Sequence, residues 1–292
     1  MSQQVNDDYP GKVLSDQQLK EIATAKYETQ SDTETQSDTE TRVYEFPTEI
    51  VELPSKGKLY PKDHPLSSGK IEMKYMSAKE EDILTNQSFI KNGVVLDKLF
   101  RSLIVSPIEY NDLLLCDKNA IMIAARVLGY GKDYPCKVTN PDTGEEISYN
   151  IDLTQLGERE IDWSLIKDNI NEFSLILPAS KRNIKVKILS QRDQNKIDKE
   201  TKAMAKLKKN ASLTTMLKYV IVEMDGETDN IKIRRFIDNE LLAIDSRAIR
   251  KYLKSVTPDI DLSINVPDEE TGDTFRSQLN IGVDFFWPDV DL

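Results

Sequence analysis

The sequence predicts an α+β fold: two diverged copies of a strand–helix–helix–helix–β-hairpin module, behind a disordered acidic N-terminal arm. Three observations predict it. A Leu-Pro stretch leads to an alternating strand twice, the pattern Asp-x-x-Ala-Ile occurs twice, and a Pro-Asp turn between alternating flanks follows each. The expected boundaries are an arm over residues 1–46, a first module over 47–170 and a second over 171–292.

The arm comes first. Residues 29–40 read TQSDTE twice in tandem, with no apolar residue and no helical or strand period. Such a tract cannot bury enough surface to offset its ordering entropy, so disorder is expected. Upstream, Leu19, Ile22 and Ala23 share a face, which gives residues 14–27 the pattern of a short helix with Asp16 as its cap.

The modules are then matched element by element. Leu53-Pro54-Ser55-Lys56 leads to the strand Ile71–Met76, and Ser77 caps a helix with Glu80 and Glu81 in its first turn. Leu177-Pro178-Ala179-Ser180-Lys181 leads to Ile184–Leu189, and Ser190 caps a helix carrying Asp193. Alternation of apolar and charged residues marks half-buried strands, and a serine oxygen accepts an orphan helix N–H. Second helices follow, with stripes Val95, Leu99, Leu103, Ile104 and Leu213, Leu217, Val220, Ile221. Asp117 and Asp245 then open third helices as caps, with inner faces Ile121, Ala124, Ala125, Leu128 and Ile249, Tyr252, Leu253, Val256. Gly129 and Pro258 are the expected stops. Each half closes on a hairpin turning at Asn140–Gly144 or Val266–Gly272. The flanks are Cys136–Val138 with Ile147–Tyr149, and Leu262–Ile264 with Leu279–Ile281.

Charge is segregated. The net charge is −11, of which residues 1–46 hold −6, from ten acids and four bases. Residues 181–209 carry eleven bases against three acids, and residues 259–292 nine acids against one arginine. Such segregation favours steering between protein partners or between subunits of one assembly, a homo-oligomer included. No apolar run approaches the ~18–20 residues of a membrane span. The N-terminus lacks a basic-then-apolar signal, which points to synthesis in a cytoplasm. Two cysteines, Cys116 and Cys136, make no disulfide framework.

Catalytic and cofactor patterns are not found. The single histidine, His64, lies in a turn-rich loop without a readable partner. One cysteine near one hairpin tip falls short of the four ligands of a zinc ribbon. Gly129-Tyr130-Gly131 has neither the spacing nor the lysine of a phosphate loop. The expectation is therefore a non-enzymatic binding or assembly protein with no cofactor and no metal. Two groups of residues stand out as partner-binding candidates. One is the terminal aromatic run Phe285, Phe286 and Trp287, in which part of the run serves the core and the rest anchors a partner. The other is the lysine-rich helix of residues 193–210, with Lys202, Lys206 and Lys209 around a narrow apolar stripe of Ile197, Met204 and Leu207. A nucleic-acid-binding regulator using that helix is the alternative function. The lack of interleaved aromatics and the acidic chain weigh against it.

Leu53–Tyr60, Ser77–Leu84, Asp117–Ile121, Arg126–Gly131 and the terminal Phe-Phe-Trp-Pro together resemble the baseplate hub assembly proteins of T-even-like contractile-tailed bacteriophages. The similarity covers about residues 50–290 and leaves out the arm. It implies a late viral protein made in the host cytoplasm that helps form the baseplate hub. Other hub proteins are then its partners, and it acts either as a chaperone or as a subunit retained in the virion. The motifs are structural, and no catalytic residue carries over.

Overall fold

The computed structural model describes residues 46–286 except 142, 209–210, 268–271, 273, 280 and 282. The arm up to Glu45, Lys209, Trp287 and most of the second hairpin tip lie outside the described residues. Phe46 onward forms one compact unit. Its mixture of helices with small antiparallel sheets is α+β, as the sequence predicts.

Strand β1 (Thr48–Glu52) pairs with β2 (Lys70–Lys74) across a long Pro/Gly loop. At one close approach in that loop, Gly57 (φ +74°) lies where a Cβ would meet the Ser67 carbonyl oxygen at 2.3 Å, so only glycine fits. Helices α1 (Ala78–Thr85), α2 (Gln87–Lys91), α3 (Val95–Leu103) and α4 (Lys118–Tyr130) follow, then the hairpin β3 (Asp133–Thr139) and β4 (Glu146–Asp152). The second half starts with β5 (Phe173–Ile176) and β6 (Asn183–Val186). It continues through α5 (Gln191–Lys206), α6 (Ser212–Val220), β7 (Ile221–Met224), α7 (Asn230–Asn239) and α8 (Ala243–Val256) to the hairpin β8 (Ser263–Pro267) and β9 (Thr274–Gln278).

Local chemistry explains the helix starts. Ser77 and Ser190 each build a capping box, with Glu80 accepting the Ser77 N–H at 3.0 Å and Asp193 accepting the Ser190 N–H at 3.1 Å. A lysine completes each box: Lys74 reaches Glu80 at 2.8 Å and Lys187 reaches Asp193 at 2.7 Å. Just past α3, Ile104 bridges to Met73, and just past α6, Ile221 pairs with Val186.

Four expectations are corrected. Asp117 and Asp245 do not cap their own helices. The Asp117 carboxylate accepts Ser55 N–H and Oγ–H, and that of Asp245 accepts the N–H groups of Ala179 and Ser180. Both have turned to a Leu-Pro loop more than sixty residues away, where the carboxylate satisfies loop N–H groups that have no partner within the loop, buried at Ser55 and part-buried at Ala179 and Ser180. The helix α4 runs past Gly129 to Tyr130 and is stopped by Gly131 at φ +87°. The return strand of the second hairpin is Thr274–Gln278, with Ile264 facing Ser277, while Leu279 N–H still reaches Leu262 C=O at 2.8 Å. The lysine-rich helix spans 191–206, not 193–210. The first hairpin pairs as expected, Cys136 with Tyr149 and Val138 with Ile147.

The two halves interlock. Leu115 N–H donates to Leu189 C=O and Gln191 N–H to Leu113 C=O, both within 2.9 Å. Around this seam Asp97 accepts from Lys118, Gln191 and Tyr110. Below it, Asp259 binds Asn119 and Arg159, and the backbones of 157–159 and 259–261 pair.

Candidate interaction surfaces

The basic segment divides in two. Arg182, Lys185, Lys187 and Arg192 are each engaged by a carboxylate: Asp225, Glu223, Asp193 and Asp112 respectively. Lys196, Lys199, Lys202 and Lys206 are exposed, and among the described residues none forms an ion pair. Spaced at three and four residues, they stand on one side of α5, opposite Ile197 and Met204. Glu200 fastens the helix by accepting from Arg234 and Tyr219 at 3.0 Å each. Beyond it the last turn leaves the core: Ala203, Ala205 and Lys206 are exposed, and Leu207 is 67% exposed. The apolar stripe expected from Ile197 through Leu207 therefore buries only its first member and half-buries Met204. Lys202 and Lys206 stand where a partner can reach them; Lys209 lies outside the described residues.

The terminal aromatics are placed differently from the mixed role expected of them. Phe285 and Phe286 are both 1% exposed, so core duty falls on both and neither offers surface to a partner. Phe285 packs on the first half of the chain, and Phe286 packs edge-on against it. The Phe285 ring lies 4.9 Å from that of Tyr134, and the buried Arg126 donates from Nε to Phe285 C=O at 3.2 Å. Trp287 lies outside the described residues.

A third surface had no sequence signal. Between β1 and α4 runs a groove of about 560 Å³ with an apolar floor that includes Ile123, Val127, Leu128 and Leu156. The charged residues that line it are Glu49 and Glu52, both on β1.

The buried polar groups serve structure. Asp117 receives Ser55 and the Tyr60 hydroxyl, which in turn accepts Leu114 N–H at 3.0 Å. Burial pushes the Asp117 carboxyl up to about 6 and the Tyr60 hydroxyl far above its ordinary range. Burial likewise raises the Cys116 thiol well above the usual value. His64 Nδ1 accepts Leu66 N–H at 3.1 Å and its ring stacks on Tyr60, so the lone histidine shapes its loop. Among the described residues no group of His, Cys, Asp or Glu is arranged to hold a metal ion, and no helix is long and apolar enough to cross a membrane.

A family model described as T4 bacteriophage base plate protein matches residues 46–287. The chain belongs to that family. The match begins where the compact unit begins and leaves outside it the arm and residues 288–292 of this baseplate protein. Searches of curated proteins and of solved structures each returned no match. Membership ties the chain to the phage tail baseplate and to other baseplate proteins as neighbours.

Proposed function

We propose that this baseplate protein is a hub protein, either a structural subunit or an assembly chaperone, that acts by protein–protein binding without catalysis. The family match across residues 46–287 carries the reading. The mechanism follows from α5. A stripe of unpaired lysines on a helix that projects beyond its own core attracts an acidic protein surface and sets register by charge. The protein is then made in the host cytoplasm, and its presence in mature particles distinguishes subunit from chaperone.

The test uses the full chain carrying Lys202→Glu and Lys206→Glu during phage infection, with sedimentation of baseplate intermediates. Incorporation should fall at least tenfold while the melting curve stays unchanged. Undiminished incorporation removes α5 from the docking surface. A salt-dependent shift of duplex DNA by the wild type, lost in the variant, favours the nucleic-acid regulator instead.

We also propose that the halves 47–170 and 171–292 are diverged copies of one module. Supporting this are contacts that recur at matching positions: the Ser77 and Ser190 boxes with their lysines, the Met73–Ile104 and Val186–Ile221 pairings four residues before each serine, and two aspartates receiving the third residue of a Leu-Pro loop. Helix α7 would be an insertion in the second copy.

A further inference from the structure

We propose that the outer edge of β1 accepts a β-strand from a partner protein, an extended segment in which apolar residues alternate with lysine or arginine. This surface is separate from the α5 stripe and does not depend on it.

The edge is open. Tyr75 N–H donates to Pro47 C=O at 3.0 Å and Leu53 N–H to Gly69 C=O at 2.8 Å, in the register that pairs Thr48 with Lys74 and Glu52 with Lys70. Alternate residues of an antiparallel ladder bond to the same neighbour. Residues 47, 49, 51 and 53 therefore face β2, and the backbone N–H and C=O groups of Thr48, Ile50 and Glu52 point the other way. Among the described residues β2 is the only strand beside β1.

Several protections of an edge are missing here, and the charged residues that β1 does carry are the two glutamates. Strand β1 has no proline and no lysine, and its register runs without a bulge. Its central residue, Ile50, is 66% exposed. The neighbouring groove supplies what an added strand needs next: beside the row of backbone groups lies an apolar floor on α4, placed to receive alternate side chains.

Charge selects the occupant. The lining holds Glu49, which accepts from the Tyr75 hydroxyl at 3.2 Å, and Glu52, which Lys70 of β2 approaches to 3.7 Å. No cation lines the groove itself and the Glu52 side chain is 79% exposed, so a strand with basic residues complements it. A second copy of β1 would bring its own two glutamates and gather four carboxylates at one seam, which argues against self-pairing. The matching face in the second half differs. Where α4 offers Ile123 and Val127, six and ten residues after Asp117, α8 offers Lys251 and Ser255 at the same distances from Asp245. The acceptor chemistry belongs to the first half alone.

The test is amide hydrogen exchange on the full chain with the synthetic peptide Lys-Ile-Lys-Val-Lys-Ile-Lys. Saturating peptide should slow exchange at Thr48, Ile50 and Glu52 at least tenfold. Glu49 and Val51, already in the ladder, should change little. Ile50→Pro should abolish the effect while Glu49 and Val51 stay protected, because the N–H it removes is not used by β2. Glu49→Lys with Glu52→Lys should transfer the preference to Glu-Ile-Glu-Val-Glu-Ile-Glu. Three outcomes would overturn the proposal: no protection at saturation, equal protection of the wild type by the acidic peptide, or protection that grows with protein concentration in the absence of peptide, which marks a second copy.

Discussion

Asp117 and Asp245 both stand near the start of a helix, and both accept backbone N–H groups from a Leu-Pro loop, yet their carboxyls move in opposite directions. Burial pushes Asp117 up to about 6, against the opposing bonds from Ser55 and Tyr60. Burial also acts on Asp245, but the N–H groups of Ala179 and Ser180 and the nearby Lys181 outweigh it and hold the carboxyl below its usual range. The loops account for the difference. Pro54 and Ser55 above Asp117 are themselves buried, whereas Pro178, Ala179 and Lys181 above Asp245 are exposed. The corresponding cation of the first loop, Lys56, is drawn away to Glu158 at 2.9 Å and lies over the Trp163 ring. Both carboxylates are buried, so one hydrogen-bonding pattern places one in deep apolar surroundings and shields the other with no more than an exposed loop.

The comparison can be broken by measurement. Asp117→Ala orphans Ser55 N–H, Ser55 Oγ–H and the Tyr60 hydroxyl inside the core, and should cost about 3–5 kcal/mol in denaturant unfolding. Phe285→Ala should cost about 3–4 kcal/mol, with faster hydrogen exchange in α4 and β3 than in α8, since its ring serves the first half. Asp245→Ala, beneath an exposed loop, should cost only about 1–2 kcal/mol. A larger loss at Asp245 than at Asp117 would invert the account.

The pH dependence sharpens the same contrast. The folded state holds the Asp117 proton more tightly than the unfolded chain, so its contribution to stability is greatest below the ordinary aspartate value of 3.8 and falls as pH rises to about 6. Asp117→Asn should flatten stability over that window. Glu80 acts with the opposite sign. Although burial opposes it, the bonds from Lys74, Ser77 and Ser102 lower its carboxyl from 4.5 to about 2, so its stabilisation is complete above 4.5 and lost as pH falls toward 2. Unfolding curves collected from pH 2 to 7 should show both limbs. The smallest effect is expected from Lys202→Glu with Lys206→Glu, within about 0.5 kcal/mol, as for exposed residues without partners.

Local chemistry was readable in the sequence and long-range chemistry was not. Ser77 and Ser190 announce their capping boxes within four residues, and the alternation around Asn140–Gly144 sets the right hairpin register. The two aspartates look like helix caps because a cap is the nearest use for such a residue; their true donors are 62 and 66 residues away. Helix α7 was missed although Asp229 caps it and Ile233, Phe236 and Ile237 carry its buried spacing. Of the candidate surfaces, the exposure of Lys202 and Lys206 follows from their side of the helix. The burial of Phe285 and Phe286 depends on a helix and strand of the other half, and the β1–α4 groove exists only once those elements meet. No window of sequence contains either.

Arg126 and Phe285 meet across 159 residues. Closing so large a loop gives nothing back until the stretch between them is in place, so this contact belongs to the late part of folding. On the ribosome, the α4 and β3 surface must wait for a segment synthesised long after it. A chain cut short ahead of Phe285 keeps that apolar seat uncovered, available to proteases and chaperones, whereas a chain that carries Phe285 closes it from within.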